Sequence, residues 1–387
     1  MPDGINLKKL LISFFLFFST IGVFVYCFKN GRLVKEIPKN ARWVLIFLLG
    51  YSGIVILRSF SFSIQDWVTN FGNVYMALAW FTPIFIIVGQ KIENWNILFR
   101  VIFFMIKLMI ISLFFLPFYV GGKLNTEWTW LIRSVVFLLI IGIKRFKFSK
   151  RLLIIVGVFI YIIIAIQTQQ RLEFIYLAII AFLLLIDKLK EFKIKRSLYK
   201  LFIFGFLILV FLIFTYGYDN INLLINKVVE FKDTRTFLFT ELSSELNTIE
   251  KLFGRGSLGK YHSDYFERTI AYYESIGAKD WLADDPDRIT IEVGFLQMIL
   301  KGGFLLFGLN LLLMVYSIYL ALFKSRNKFI RRLGIFILAI TVLSIISFRP
   351  AFTPTFILLW VSIGTVLNRS NRNLNDKEIY KLIKELN

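Results

Sequence analysis

The sequence predicts an all-α, polytopic transmembrane helix bundle of about 11 spans (10–12), interrupted by one large outer (periplasmic) polar loop that contains short helices. Three observations lead there. Of 387 residues, 57% are hydrophobic and 44 are Phe, with a mean hydropathy of +0.71, too apolar for a soluble core of this length. The apolar residues fall in runs near the roughly 20 that a helix needs to cross the hydrocarbon core. Between those runs, Lys and Arg collect in alternate short loops, the asymmetry that orients membrane helices.

Along the chain the apolar runs are 10–28, 43–57, 73–90, 97–120, 128–143, 152–167, 172–186, 201–216, 304–323, 333–347 and 351–367. Lys8 and Lys9 ahead of the first run imitate a signal peptide. That run is long for a signal h-region and no Ala-x-Ala-like site follows, so it is expected to stay as a span. Basic loops at 29–42, 144–151 (KRFKFSKR), 187–200 (DKLKEFKIKRSLYK) and 324–332 (KSRNKFIRR) alternate with poor ones at 59–72, 121–127, 168–171 and 348–350. The positive-inside rule places the first set in the cytoplasm and the N-terminus and polar loop outside. The expected organisation is spans one to eight over 1–216, the outer polar loop over 217–290, spans nine to eleven over 291–367, and a cytoplasmic tail over 368–387. No internal repeat is evident, against the inverted-repeat transporters.

Charge excludes other classes. Lys+Arg number 46 against 25 Asp+Glu, a net +21 that in a soluble chain would suit nucleic acid. Here the excess orients spans and faces anionic headgroups, and membrane lipids rather than nucleic acid are the expected partners. Cys27 stands alone in an apolar run, so there is no disulfide framework, and a single His (His262) leaves little material for a zinc site.

Within the polar loop, 236–253 reads as one amphipathic helix. Phe239, Leu242, Leu246, Ile249 and Phe253 recur at three- and four-residue intervals, with Glu241, Ser244, Glu245 and Glu250 on the other face. Asp233 or Thr234 caps its start, and Gly254 with Gly256 ends it. From 254 to 279 the composition of Gly, Ser and Tyr reads as loop. An apolar stretch, 289–301, then ends at Gly302-Gly303. It is too short to cross alone and either dips into the membrane or begins the next span.

Several residues could carry chemistry. Arg171 opens a span and Arg235 opens the amphipathic helix, both near headgroup level, where guanidinium binds phosphate in a bidentate fork. From position alone, headgroup anchoring is the stronger account of both. Glu292 is either a first-turn carboxylate favoured by the helix dipole or a general base. Arg133 and Lys107 lie inside apolar runs and are expected to face the bundle interior. Arg288 and His262 are further candidate substrate-binding residues. Asp285-Pro286-Asp287 imitates an Asp-x-Asp metal motif, although a Pro-containing acidic turn gives the same string.

In order, these pieces resemble the O-antigen polymerase and O-antigen ligase families: Arg171 at a span start, Arg235 before an outer helix, Leu252-Phe253-Gly254-Arg255-Gly256, then Glu292-Val293-Gly294-Phe295-Leu296-Gln297 and Gly302-Gly303. The resemblance covers roughly 167–323. It implies a metal-independent glycosyltransferase, without cofactor, of the bacterial inner membrane, acting in lipopolysaccharide or capsule synthesis. Its substrates would be undecaprenyl-diphosphate-linked oligosaccharides, with a chain-length regulator as a protein partner open to it. Glu292 would be the catalytic base, Arg171 and Arg235 the diphosphate clamp, and Arg133, Arg288 and His262 substrate contacts. The ligase branch, which moves glycan onto lipid A core, usually has His where this chain has Glu292, so the departure favours polymerase. A lipid-linked oligosaccharide flippase is the rival from another class.

Overall fold

Runs of Leu, Ile and Phe place backbone amides and carbonyls where no water meets them, so helix, which pairs them within the segment, is the conformation that satisfies them inside lipid. The computed structural model describes residues 36–59, 63–119, 133–167, 171–191, 236–275 and 286–384, with several positions between 18 and 30. The helices are α1 (Lys39–Leu57), α2 (Ile64–Gly72), α3 (Ala77–Gly89), α4 (Asn94–Tyr119), α5 (Ser134–Ile141), α6 (Phe148–Gln167) and α7 (Arg171–Glu191). They continue with α8 (Thr236–Glu245), α9 (Thr248–Phe253), α10 (Asp264–Ser275), α11 (Gly294–Lys324), α12 (Lys328–Ile346), α13 (Pro354–Leu367), α14 (Arg369–Asn373) and α15 (Asp376–Leu382). Two short strands, β1 (Tyr261–His262) and β2 (Asp287–Arg288), pair antiparallel.

Five of these helices are long and apolar enough to cross a membrane, or six if the bent pair α2–α3 counts as one span. The chain is thus a mostly helical membrane protein. The expected spans at 43–57, 97–120, 152–167, 172–186, 304–323, 333–347 and 351–367 each coincide with a helix, while 201–216 lies outside the described residues. The run 73–90 is not one straight span. The chain bends by 50° between α2 and α3, and Pro83 falls within a 3₁₀ turn of α3 at Thr82–Phe85. The run 128–143 carries only the eight-residue α5 among its described residues.

Bundle packing turns on close backbone approach. A Cβ on Gly89 would lie 2.1 Å from the Val361 carbonyl oxygen, and one on Gly364 would lie 2.1 Å from that of Ile86. Two glycines therefore let α3 and α13 touch, as small residues do between membrane helices. Gln90 Nε2 donates to the Gly364 carbonyl at 2.8 Å, and Trp95 Nε1 donates to Thr365 Oγ1 at 3.0 Å. On α4 the stripe Phe99, Ile102, Phe103, Ile106 and Met109 is buried. Lys107 lies off that stripe and is exposed among the described residues, which corrects the expectation that it faces the interior.

The two ends of the bundle are built from different loops. At one, Arg332 donates to the Ile140 carbonyl at 2.7 Å, Arg145 sits over the Tyr380 ring, and Asn327 bonds the carbonyls of Asn371 and Leu374. At the other, Phe352 N donates to the Val74 carbonyl, Val293 bridges Phe348, and Arg58 reaches the carbonyls of Phe253 and Gly254. The polar module thus sits at the end opposite the basic loops 144–151 and 324–332.

That module differs from its expected form in two ways. The helix over 236–253 is two helices, because Asn247 and Glu250 form a capping box that starts α9 afresh. Among the described side chains of this stretch, Leu238, Leu242 and Leu246 are buried, in a small core with Tyr261, Ile291, Val293 and Phe295. Ile249, Leu252 and Phe253 are exposed, Ile249 at 69%. The stretch 254–279 is also not all loop. α10 occupies Asp264–Ser275 and places Asp264 and Glu267 in its first turn, where carboxylates suit the helix dipole.

The apolar stretch 289–301 runs on into α11, but with a break. Within α11, Gly303 has φ 65° and ψ −170°, outside helical values, so a segment over 294–302 turns into a longer one over 304–324. A Cβ at Gly303 would lie 2.2 Å from the Leu252 backbone. Gly303→Ala should therefore unfold at a lower temperature in detergent. The φ alone costs about 1–3 kcal/mol, and the clash is with backbone that cannot rotate away. Gly308→Ala, where a Cβ meets nothing within 4 Å, should unfold like wild type. Equal behaviour of the two variants in a thermal melt would contradict the role of the break.

Candidate functional site

A helix broken at Gly303 frees carbonyls that need donors. The Leu252-Phe253-Gly254-Arg255-Gly256 segment supplies them. Arg255 N donates to the Leu300 carbonyl at 2.7 Å and Gly256 N to that of Lys301 at 2.9 Å. Tyr51 Oη lies 2.9 Å from both Gly302 O and Phe253 O, and its single proton is shared between these two acceptors. Lys301, fully buried, donates from Nζ to the Gly259 carbonyl at 2.7 Å. Ser257 Oγ bonds Asn70 Oδ1 at 2.6 Å, fastening the same loop to α2. Gly254 and Gly256 have φ 68° and 85°, and a Cβ at Gly254 would lie 2.4 Å from Gly302 N. Both spacing and φ demand glycine.

Arg255 then turns back on the module. Its Nε bonds Glu250 Oε1 at 3.0 Å, Nη2 bonds Glu250 Oε2 at 3.2 Å, and Nη1 pairs with Glu245. The guanidinium fork holds the Glu250 carboxyl below its usual range. Glu245 also accepts from the His262 backbone N–H at 2.7 Å, tying β1 to α8.

Glu292 lies just ahead of the broken helix. Val293 is the N-cap and Gly294 the first helical residue, so Glu292 is outside the first turn and not a dipole-capping carboxylate as one reading had it. Its Oε1 pairs with Arg288 Nη2 at 2.5 Å, with Glu292 at 40% exposure and Arg288 at 18%. The Arg288 guanidinium in turn lies 4.4 Å over the Phe266 ring. Tyr261 opposes Arg288 in the ladder, and burial pushes its phenol up. The outcome is a half-exposed carboxylate whose position is fixed by one cation and one short strand.

Arg133 is also placed, and it is not free. Its Nε bonds Glu173 Oε2 at 3.1 Å while Nη2 pairs with Oε1, and the Tyr161 hydroxyl donates to the same carboxylate. The guanidinium sits 4.2 Å over the Phe348 ring, against which Tyr176 also packs. Phe348 bridges Val293 and has φ 43°, the one positive φ on a non-glycine among the described residues. Arg133 and Glu292 are therefore brought to one end of the bundle, joined through Phe348 and Val293.

His262 is exposed beside Asp264, Glu267 and Asp287, with its pKa raised chiefly by the hydrogen bond to Asp287. Arg171 opens α7 two residues before Glu173, so its backbone belongs to this end. Its side chain, and all of Arg235, Asp233, Thr234 and Asp285, lie outside the described residues. Among the described residues the sequence reading missed Tyr51, Arg58, Glu173 and Lys301. Tyr51 and Arg58, the residue that caps α1, stand seven apart and so fall on one face, a spacing that could have marked them. Comparisons with protein-family models, with curated proteins and with solved structures find no match.

Two outcomes follow from these pairs. Removing one partner of the buried pair, as in Arg133→Ala or Glu173→Gln, should destabilise by about 3–5 kcal/mol. The double variant should lose less than the sum, and strict additivity in a double-mutant cycle would deny the coupling. Glu250, with a depressed folded pKa, contributes stability that is complete above its unfolded pKa of ~4.3 and fades as pH falls through the lower folded value. The melting-temperature gap between wild type and Glu250→Gln should accordingly be full at neutral pH and close in acid. A gap that does not change with pH would contradict the Arg255 clasp.

Proposed function

We propose that this chain is a membrane glycosyltransferase that polymerises undecaprenyl-diphosphate-linked oligosaccharide repeat units into a surface polysaccharide, at the outer face of a bacterial inner membrane. The observation that carries the reading is Glu292, half-exposed and held by Arg288 immediately before the broken helix. A carboxylate that is positioned yet reachable is what a general base requires. The surrounding order of motifs, which resembles oligosaccharide polymerases, supplies the substrate class.

In this mechanism an acceptor sugar hydroxyl attacks the anomeric carbon of the other unit's reducing-end sugar. A glycosidic C–O bond forms as the bond from that carbon to the diphosphate oxygen breaks. The hydroxyl proton passes to Glu292, and the electron pair leaves on undecaprenyl diphosphate. Arg171 and Arg235 offset the charge of the departing diphosphate. Direct displacement inverts the anomeric carbon. Arg288 orients the base and adds positive charge beside it. The flippase reading relied on interior cations lining a path, and Arg133 is instead neutralised by Glu173.

Glu292→Gln preserves shape without basicity and should slow polymerisation by about 10²–10⁴. Arg171→Ala and Arg235→Ala should each lose about 10²–10³, and Lys should rescue them poorly because it lacks the fork. The assay is purified protein with lipid-linked repeat units and no nucleotide sugar. Normal chain lengthening by Glu292→Gln would remove the base from the mechanism, and wild type that moves units across vesicles without lengthening them would make the chain a transporter. Sidedness has its own check in a Cys27→Ser background. Arg268→Cys should label from outside with an impermeant thiol reagent and Ser149→Cys should not, and the reverse pattern would discard the proposal.

A further inference from the structure

The short ladder of the polar module gathers one imidazole and three carboxylates. His262 Nδ1 lies 3.1 Å from Asp287 Oδ1, across the β1–β2 pair. A carboxylate at that distance favours the tautomer with the proton on Nδ1, and this leaves the Nε2 lone pair directed outward. On that side Asp264 Oδ1 and Glu267 Oε2 each lie 3.6 Å from Nε2. The three candidate ligand atoms fall within 4.8 Å of one another.

Those distances are too long for good hydrogen bonds. They are close to the spacing of about 3.3 Å between ligand atoms on a tetrahedral zinc ion with bonds of about 2.0–2.1 Å. Asp264 and Glu267 are three apart in the first turn of α10, so they share a face. One imidazole and two carboxylates thus offer one ligand atom each on the same side, with a third carboxylate behind the ring. The sequence holds no second His and only one Cys, Cys27. A zinc site of several imidazoles or thiolates is therefore excluded, but carboxylates complete the ligand set here.

We propose that His262 Nε2, one oxygen of Asp264 and one of Glu267 bind a divalent transition-metal cation of the zinc class, with Asp287 orienting the imidazole from behind. Water fills the remaining position. The ion joins β1 to the first turn of α10. Because Phe266 on that turn lies beneath Arg288, the partner of Glu292, the cation braces the strand that positions the carboxylate. Its role is structural, and it enters no bond-making step.

The test uses the full chain in detergent, purified without a polyhistidine tag and stripped with EDTA. Zn²⁺ titrated by calorimetry should bind one-to-one and raise the unfolding temperature. His262→Ala, and separately the isosteric Asp264→Asn and Glu267→Gln, should each weaken binding at least tenfold, and Asp287→Asn by roughly tenfold to a hundredfold. Cu²⁺ used as a probe should show pulsed-EPR modulation from one imidazole in wild type and none in His262→Ala. Absence of Zn²⁺ binding by wild type at millimolar concentration would overturn the site. So would unchanged affinity in His262→Ala or Glu267→Gln, or equal stabilisation by Mg²⁺. Polymer formation is not the readout, so this result and that of the glycosyltransferase assay stand apart.

Discussion

A backbone carbonyl cannot be left without a donor where water is scarce, and the broken helix α11 concentrates that problem at one place. Leu300, Lys301 and Gly302 present carbonyls at the break, and the amides of Arg255 and Gly256 with the Tyr51 hydroxyl satisfy them. An unmet buried group would cost about 1–3 kcal/mol, so the loop and the break are obligatory partners. Once the loop is fixed, the rest of the module follows. Arg255 collects Glu245 and Glu250, Glu245 holds β1, and β1 positions β2 with Arg288.

The charged groups at this end show two regimes. Arg133 and Glu173 are largely withdrawn from water, and a Tyr hydroxyl completes their pairing. Such a pair fixes geometry more than it adds stability, because desolvation offsets most of the attraction. Arg288 and Glu292 are instead partly exposed. Water can compete for either, so this pair is open to exchange of partners. The same chemical pair thus occurs once as a buried strut and once as an accessible contact.

Hydrophobic runs made most of the long apolar helices legible, because each needs only enough apolar residues, but five or six of them qualify as spans among the described residues. The motif around 252–256 and the Gly302-Gly303 pair were legible as punctuation, but not as partners. Nothing in a sequence states that an amide at 255 meets a carbonyl at 300. The break in the amphipathic helix was missed since Leu246, Ile249 and Phe253 keep helical spacing across it. The signal lay in Asn247 and Glu250, whose capping box outweighs that periodicity. α10 was missed because Tyr and Ser dilute its apolar face. Glu173 drew no notice because a carboxylate in the first turn of a span is ordinary, and only the fold brings Arg133 to it.

Phe348 has a further consequence. At φ 43° a β-carbon crowds the backbone, and glycine would relax that residue by about 1–2 kcal/mol. The same change would remove the ring on which Arg133 rests and against which Tyr176 packs. Losing a buried Phe ring costs about 3–5 kcal/mol, more than the relief of φ returns, so glycine there would weaken the protein and leave the cation without its seat. The ring thus holds a strained backbone in place, and screens that reward stability would keep Phe at 348.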